Sequence, residues 1–271
     1  MFDDIVAEIT ARVERHITAR MDELKAFLKE LVGNCATKQC VEDKFQAMNE
    51  VLSGIARRLE ALEKKIDAIS SGVFETKGRV DESIRNATIK HVQDTVMERG
   101  IGALKSWTRK ANANIVYDST VDPFTDQGLF DKVKGKANIA LVGFTTDGDV
   151  FGGFYTVAVT RQSVFFKDPN MFIFSFESHG RCETPQRFAV KGDLKDKACV
   201  KFWKTDLGNG FVEFRVYGGC FFLGNEKSRT FCCNSSDGFE GIQDTTLTGK
   251  NGTYYKGPYH HCTRLVAVQL S

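Results

Sequence analysis

The chain has 271 residues and a formal net charge of +2, from 37 basic against 35 acidic side chains; this length suits one domain with an extension, or two small domains. The balance also holds locally, with 19 basic and 18 acidic residues up to Lys110 and 18 and 17 beyond it. No electrostatic footprint for nucleic acid or an anionic membrane stands out, although balance alone does not exclude DNA binding. No apolar run approaches the ~20 residues of a membrane-spanning helix. The start, MFDDIVAEIT, is acidic and then amphipathic, unlike a signal peptide. The expectation is therefore a cytoplasmic protein with no membrane span. In that setting the eight cysteines (Cys35, Cys40, Cys182, Cys199, Cys220, Cys232, Cys233 and Cys262), which include no C-x-x-C, are expected mostly as free thiols. The sequons at Asn86, Asn234 and Asn251 should then be idle.

Composition changes near residue 110. Residues 1–110 hold no proline, 6 of the 24 glycines and 4 of the 22 phenylalanines. Pro123, Pro169, Pro185 and Pro258 all lie beyond. Helix disfavours Pro and Gly, and sheet favours aromatics, so the first part should be helical and the second mainly β. The first element is amphipathic, with Phe2, Val6, Ile9 and Val13 on one stripe and Ile17, Met21, Leu24, Leu28 and Leu31 on a stripe slipped by one residue. GNCATK (Gly33–Lys38) can separate it from the next helical segment. A folded-back hairpin and a continuous helix both remain open.

The next apolar positions are Val41, Phe45, Met48, Leu52, Ile55, Leu59, Leu62, Ile66, Ile69 and Val73. Their spacing alternates between three and four residues without a break. A lone amphipathic helix drifts off this 3.5-residue period, so the seam calls for a partner helix. Residues 41–73 are expected to be a coiled-coil core and homo-oligomer interface within a helical region 1–105. Arg58 at g and Glu63 at the following e can pair in a parallel dimer; the mixed a and d residues leave the number of strands open. The alternative is one long helix packed on its own C-terminal domain. Val80, Ile84, Val92 and Val96 continue a weaker stripe. ERGIGALKSW (Glu98–Trp107) then reads as the helix end, its two glycines marking the boundary to a domain over 112–271.

Beyond Asn114, short strand-like runs alternate with turns. They are NIALVGF (Asn138–Phe144), VFGGFYTVAV after the hairpin dipeptide Asp147-Gly148, MFIFSF (Met171–Phe176), FVEFRVYGG (Phe211–Gly219), CFFLGN and TRLVAVQL (Thr263–Leu270). One interruption, TDQGLFDKVKGK (Thr125–Lys136), reads as a helix capped by Thr125, with Leu129, Phe130 and Val133 on one face. The expected fold class is α plus mainly β: a long N-terminal helix or coiled coil, then an antiparallel β-sandwich with a few short helices.

The segment NIVYDSTVDPFTDQGLFDKVKGKANIALVGFTTDGDVFGGFYTVAV resembles the opening of a TLDc domain, the module of the oxidation-resistance protein family. MFIFSF, YGGCFFLGN and TRLVAVQL resemble later pieces of the same pattern, in order, so the resemblance runs from Asn114 to Ser271. The residues that carry the family fold motif are Val150, Phe151, Gly152, Gly153 and Phe154, with Gly218 and Gly219. Gly241–Cys262 is longer and more polar than that pattern. The resemblance implies a role in oxidative-stress resistance and, as in several relatives, association with the vacuolar proton-pumping ATPase.

Sites of chemistry are harder to find. Gly148, Gly152 and Gly153 lead into a strand with no Lys, so they lack the context of a phosphate loop, and GNG (Gly208–Gly210) also precedes a strand. Packing glycines are the better reading. His179, Cys182, Cys232, Cys233, His260, His261 and Cys262 lack the paired short spacing of zinc ligands; buried or scattered thiols and a surface His pair account for them. Asp147, Asp149, Glu177, Glu183, Asp193 and Glu213 read as the wet face of strands rather than an acid/base pair. Lys191, Lys195, Lys197, Lys201 and Lys204, beside Phe202 and Trp203, read as a solvated loop because Asp193, Asp196 and Asp206 interrupt them. No catalytic residue, cofactor or metal is expected. The reading is a non-catalytic TLDc adaptor oligomerised by its coil. Two alternatives are a stress-responsive DNA-binding regulator and a hydrolase or redox enzyme with an unrecognised site.

Overall fold

The computed structural model describes residues 2–33, 38–204, 210–225, 232–252 and 257–271. Helix α1 spans Phe2–Gly33 and helix α2 spans Lys38–Thr108. Residues 34–37 lie outside the described residues, and with them most of GNCATK. The chain forms two compact units, Met1–Ile84 and Arg85–Ser271, which divide inside α2. No described helix is long and apolar enough to cross a membrane.

In the first unit, α2 presents the heptad seam. Phe45, Leu52, Ile55, Leu62, Ile66 and Ile69 are exposed, with Phe45 at 59% and Ile69 at 66%. Met48, Leu59 and Val73 are half-buried, and the side chain of Val41 lies outside the described residues.

The second unit has strands β1 (Ala113–Asp118), β2 (Ile139–Thr145), β3 (Val150–Tyr155), β4 (Phe166–Lys167), β5 (Phe172–Glu177), β6 (Gln186–Ala189), β7 (Cys199–Phe202), β8 (Val212–Val216), β9 (Gly219–Leu223), β10 (Cys232–Cys233) and β11 (Cys262–Leu270). They build two antiparallel sheets, ordered β1-β11-β2-β3-β5-β6 and β10-β9-β8-β7-β4. Helix α3 (Asp126–Val133) starts where expected: the Thr125 hydroxyl accepts from Gly128 N at 3.0 Å, and Leu129, Phe130 and Val133 are buried. A short 3-10 turn (Gly192–Lys197) and helix α4 (Ser235–Gly238) complete the set. This is the expected α plus mainly β architecture.

Side chains alternate across the six-stranded sheet. Leu141, Phe151, Tyr155, Ile173, Leu265 and Ala267 face the five-stranded sheet and share one core with Phe202, Phe214 and Phe221. Their neighbours Val142, Phe154, Phe172, Phe174, Phe176 and Val266 face the opposite way, and there they meet Val96, Met97 and Leu104 of α2. The unit therefore has three layers, helix on sheet on sheet, with the six-stranded sheet buried on both faces.

ERGIGALKSW is the last stretch of helix α2, which ends at Thr108. Gly100 is no boundary mark: a Cβ there would come 2.2 Å from the Phe176 ring, so the missing side chain is the seat of that ring. Trp107 sits 6.0–6.3 Å from the rings of Phe172, Phe174 and Phe176. Arg187 covers Phe172 and donates to the Trp107 carbonyl at 3.2 Å, placing a cation at the helix C-terminus, where the helix dipole favours it.

Candidate functional site

The glycine motif lies in β3, with all six residues of the strand buried. Gly152 pairs with Val142 and Phe174, and Gly153 with Leu141 and Ile173. A Cβ on Gly152 would fall 1.9 Å from the Leu141 carbonyl oxygen and 2.7 Å from the Phe174 ring. On Gly153 it would fall 2.5 Å from the Phe214 ring of the opposite sheet. Each glycine makes room for a phenylalanine on a different face. Gly219, at the start of β9, lies against the Asn234 carbonyl, which a Cβ would approach to 2.4 Å; Gly218 is less crowded, with Asp237 Oδ2 at 3.2 Å.

The Asp147-Gly148 turn carries the first polar cluster. Gly148 has a φ of +86°, which glycine adopts readily. Asp147 pairs with Lys250 at 3.0 Å, which holds its carboxyl below the usual range. Asp149 is buried and paired with Arg181; burial pushes its carboxyl up, against the pull of that guanidinium. Arg181 also donates to the carbonyls of Thr246 (3.0 Å) and Leu247 (3.3 Å), so it clasps the hairpin to the 241–252 loop. The His179 ring donates to the Asp147 carbonyl at 2.6 Å. An open groove beside the clasp is lined by Arg181, Gln186, Phe188 and Thr246.

The second cluster is on the outer face of the five-stranded sheet. Glu213 is fully buried, accepts from Trp203 Nε1 at 3.0 Å and pairs with Arg215. The Lys201 ammonium lies 3.3 Å from the Trp203 ring centroid and 4.6 Å from that of Phe165. Burial raises the Glu213 carboxyl and lowers the Lys201 ammonium.

Three expectations change here. Asp149 and Glu213 are not on a wet face; both are buried beside arginines. The basic stretch is not all solvated loop, because β7 places Val200 and Phe202 in the core and Lys201 between aromatic rings. Alternation in ACVKF was the signal for that strand. The two histidines are not a surface pair: His261 is exposed, but His260 is buried, 3.7 Å from Asp147, and burial lowers its imidazole below the ordinary histidine value. Asp206 lies outside the described residues, as does most of GNG.

Thiol chemistry is not favoured at the two cysteines whose titration is perturbed. Burial raises Cys199, and it pushes Cys232 well above the ordinary thiol value. A reactive cysteine needs the opposite shift. Among the described residues, no three His, Cys, Asp or Glu side chains gather as a metal-holding group.

A third cluster was missed by sequence reasoning. Arg264 of β11 is 4% exposed. It donates to both oxygens of Asp118 at 3.1 and 2.6 Å and to Asp94 of α2 at 2.7 Å. Its guanidinium also lies over the Phe144 ring. The sequence separations are too long for any local pattern to reveal this triad. It ties the helix to the sheet.

With three layers and these ties in place, comparison with known families is decisive for one stretch: residues 85–210 match the TLDc domain. The chain carries a TLDc domain. The match begins at residue 85 inside α2, where the second compact unit also begins. Strands β8 to β11 lie beyond the matched residues, yet β11 sits between β1 and β2 in the TLDc domain's larger sheet. No curated protein matches the chain.

The Arg264 triad makes a testable prediction. Hydrogen bonds from Arg264 hold Asp94 below the usual carboxylate range; at Asp118 burial pushes the carboxyl up, and Arg264 together with the Thr120 hydrogen bonds brings it below the usual range. Depressed folded values mean the stabilisation is present above the unfolded carboxylate pKa, about 3.9, and is lost as pH falls through the folded values. Arg264→Met should cost about 2 kcal/mol at pH 7, because it leaves the half-buried Asp118 carboxylate without its cation. The loss should shrink below about pH 4 as both acids protonate. Urea unfolding at pH 7 and pH 3 measures this; an equal loss at both would refute it.

Proposed function

We propose that this protein is a non-catalytic TLDc adaptor or regulator, gathered into oligomers by the α2 seam and acting in oxidative-stress resistance, with vacuolar proton-pump ATPase subunits as its partner. One observation carries the oligomer reading: an exposed heptad stripe ahead of the TLDc domain, with Phe45, Leu52, Ile55, Leu62, Ile66 and Ile69 all open to solvent. Linking TLDc domains in this way raises their effective concentration at a shared target. Support for a non-catalytic role comes from the polar clusters, whose buried carboxylates are already committed to Arg181 and Arg215. Burial raises the Cys199 and Cys232 thiols, which disfavours thiolate chemistry at those two positions.

The test uses the full chain. Sedimentation at micromolar concentration should give an oligomer, and Leu59→Glu with Leu62→Glu should give a monomer whose TLDc melting is unchanged. A monomeric wild type overturns the oligomer reading. Affinity capture from native lysate should recover proton-pump subunits, and their repeated absence removes that partner.

A further inference from the structure

The residues flanking the seam specify how two copies meet. In α2, a positions are Phe45, Leu52, Leu59, Ile66 and Val73, and d positions run from Val41 to Ile69. The g flank is then Lys44, Val51, Arg58, Lys65 and Gly72, basic or neutral throughout. The e flank is Glu42, Asn49, Ala56, Glu63 and Ser70, acidic or neutral throughout. Arg58, Lys65, Glu42 and Glu63 are all exposed, and Val51, an apolar residue outside the seam, is 51% exposed.

We infer that the seam docks with a second copy of this chain in parallel and in register. This rests on the oligomer reading above and adds its geometry. In a parallel pair each g faces the following e of its partner. Arg58 then meets Glu63 twice, Val51 meets Ala56, and no like charges meet. In an antiparallel pair g faces g. Full overlap sets Arg58 against Arg58, and a shift of one heptad sets Lys44 against Lys65 or Arg58 against Lys65. Every such alignment therefore brings cations together, and none offsets them with an attractive pair, because e faces e. A parallel stagger by one heptad keeps favourable charges but removes apolar layers from the seam, which supplies most of the association. In register, the TLDc domains of both copies extend from the same end of the coil.

Disulfide trapping in the full chain tests this. Ile55→Cys and Leu62→Cys, each made alone at a d position, should both give a dimer on mild oxidation. The new cysteine should be joined to itself in peptide mapping. Wild type controls for the native thiols, and Arg57→Cys, on the outward f position, should not cross-link. In an antiparallel pair at most one of the two positions can face itself, and in a staggered pair neither can. A second readout is charge reversal: Arg58→Glu should weaken association about fivefold at low salt, and adding Glu63→Arg should restore it. If sedimentation shows an oligomer but only one or neither position cross-links, the parallel geometry is wrong and the oligomer stands. A monomer at every concentration overturns both.

Discussion

A fragment beginning at residue 112 should fail to give a soluble, cooperatively folded monomer, whereas one beginning at residue 85 should fold. The shorter fragment keeps every described strand and loses only helix. Its loss is the third layer: Val96, Met97 and Leu104, with Ile101 and Trp107 packed against the same cluster. Five such side chains at about 1.5–3 kcal/mol each amount to much of the about 5–15 kcal/mol that holds an ordinary domain together. Removing them also bares Phe154, Phe172, Phe174 and Phe176 on one face of the larger sheet. An apolar patch of that kind drives association. Size-exclusion chromatography and urea unfolding of the two fragments measure the difference. A monomeric, cooperative 112–271 fragment would show that the helix layer is dispensable.

Gly152→Ala should be the costlier of two neighbouring substitutions in β3. Neither glycine has a positive φ, so the effect is steric and not conformational. At Gly152 the obstacle is the Leu141 carbonyl oxygen, 1.9 Å from the added carbon. That atom belongs to the backbone of β2, which is hydrogen-bonded to strands on both sides. At Gly153 the obstacle is the edge of the Phe214 ring at 2.5 Å, and a ring can tilt. Overpacking costs about 1–3 kcal/mol in a closed core; Gly153→Ala should fall inside that range and Gly152→Ala at or beyond its upper end. Gly153→Val should be worse than Gly153→Ala. Urea unfolding of the three variants gives the order, and equal losses at Gly152→Ala and Gly153→Ala would sink the explanation.

Local sequence patterns made much of this fold legible. The Thr125 cap, the Asp147-Gly148 turn and the strands around Phe144, Phe154, Phe174, Phe214 and Val268 all announce themselves over a few residues. The two glycines of β3 also read correctly as packing positions, but the rings they accommodate could not be named. Phe174 and Phe214 come from a neighbouring strand and the opposite sheet, and no spacing encodes that.

The helix layer was the main loss. One cue existed: Ile139–Val142 and Leu265–Val268 are continuous apolar runs, where a sheet with one wet face would alternate. Such runs demand cover on both faces, and the weak stripe ending at Val96 was the cover. The Gly100 and Gly102 pair concealed it, because glycine ordinarily signals a helix end. Buried charge was the second loss. Asp149, Glu213 and Arg264 look like surface residues in isolation; Asp149 and Arg264 are buried against partners far away in sequence, and Glu213 against Trp203 of the neighbouring strand's end and Arg215 of its own strand.

The position of β11 sets a condition on how the domain comes into being. It pairs with β1 on one side and β2 on the other, so residues 262–270 occupy the interior of the larger sheet. On the ribosome, β1 and β2 emerge with a gap between them that only this late strand fills. The loop that must close to fill it spans most of the domain, and contacts at such separations form slowly. Until β11 joins them, the apolar faces of β2 and β3 wait without a complete sheet. The larger sheet therefore closes only when its last strand arrives.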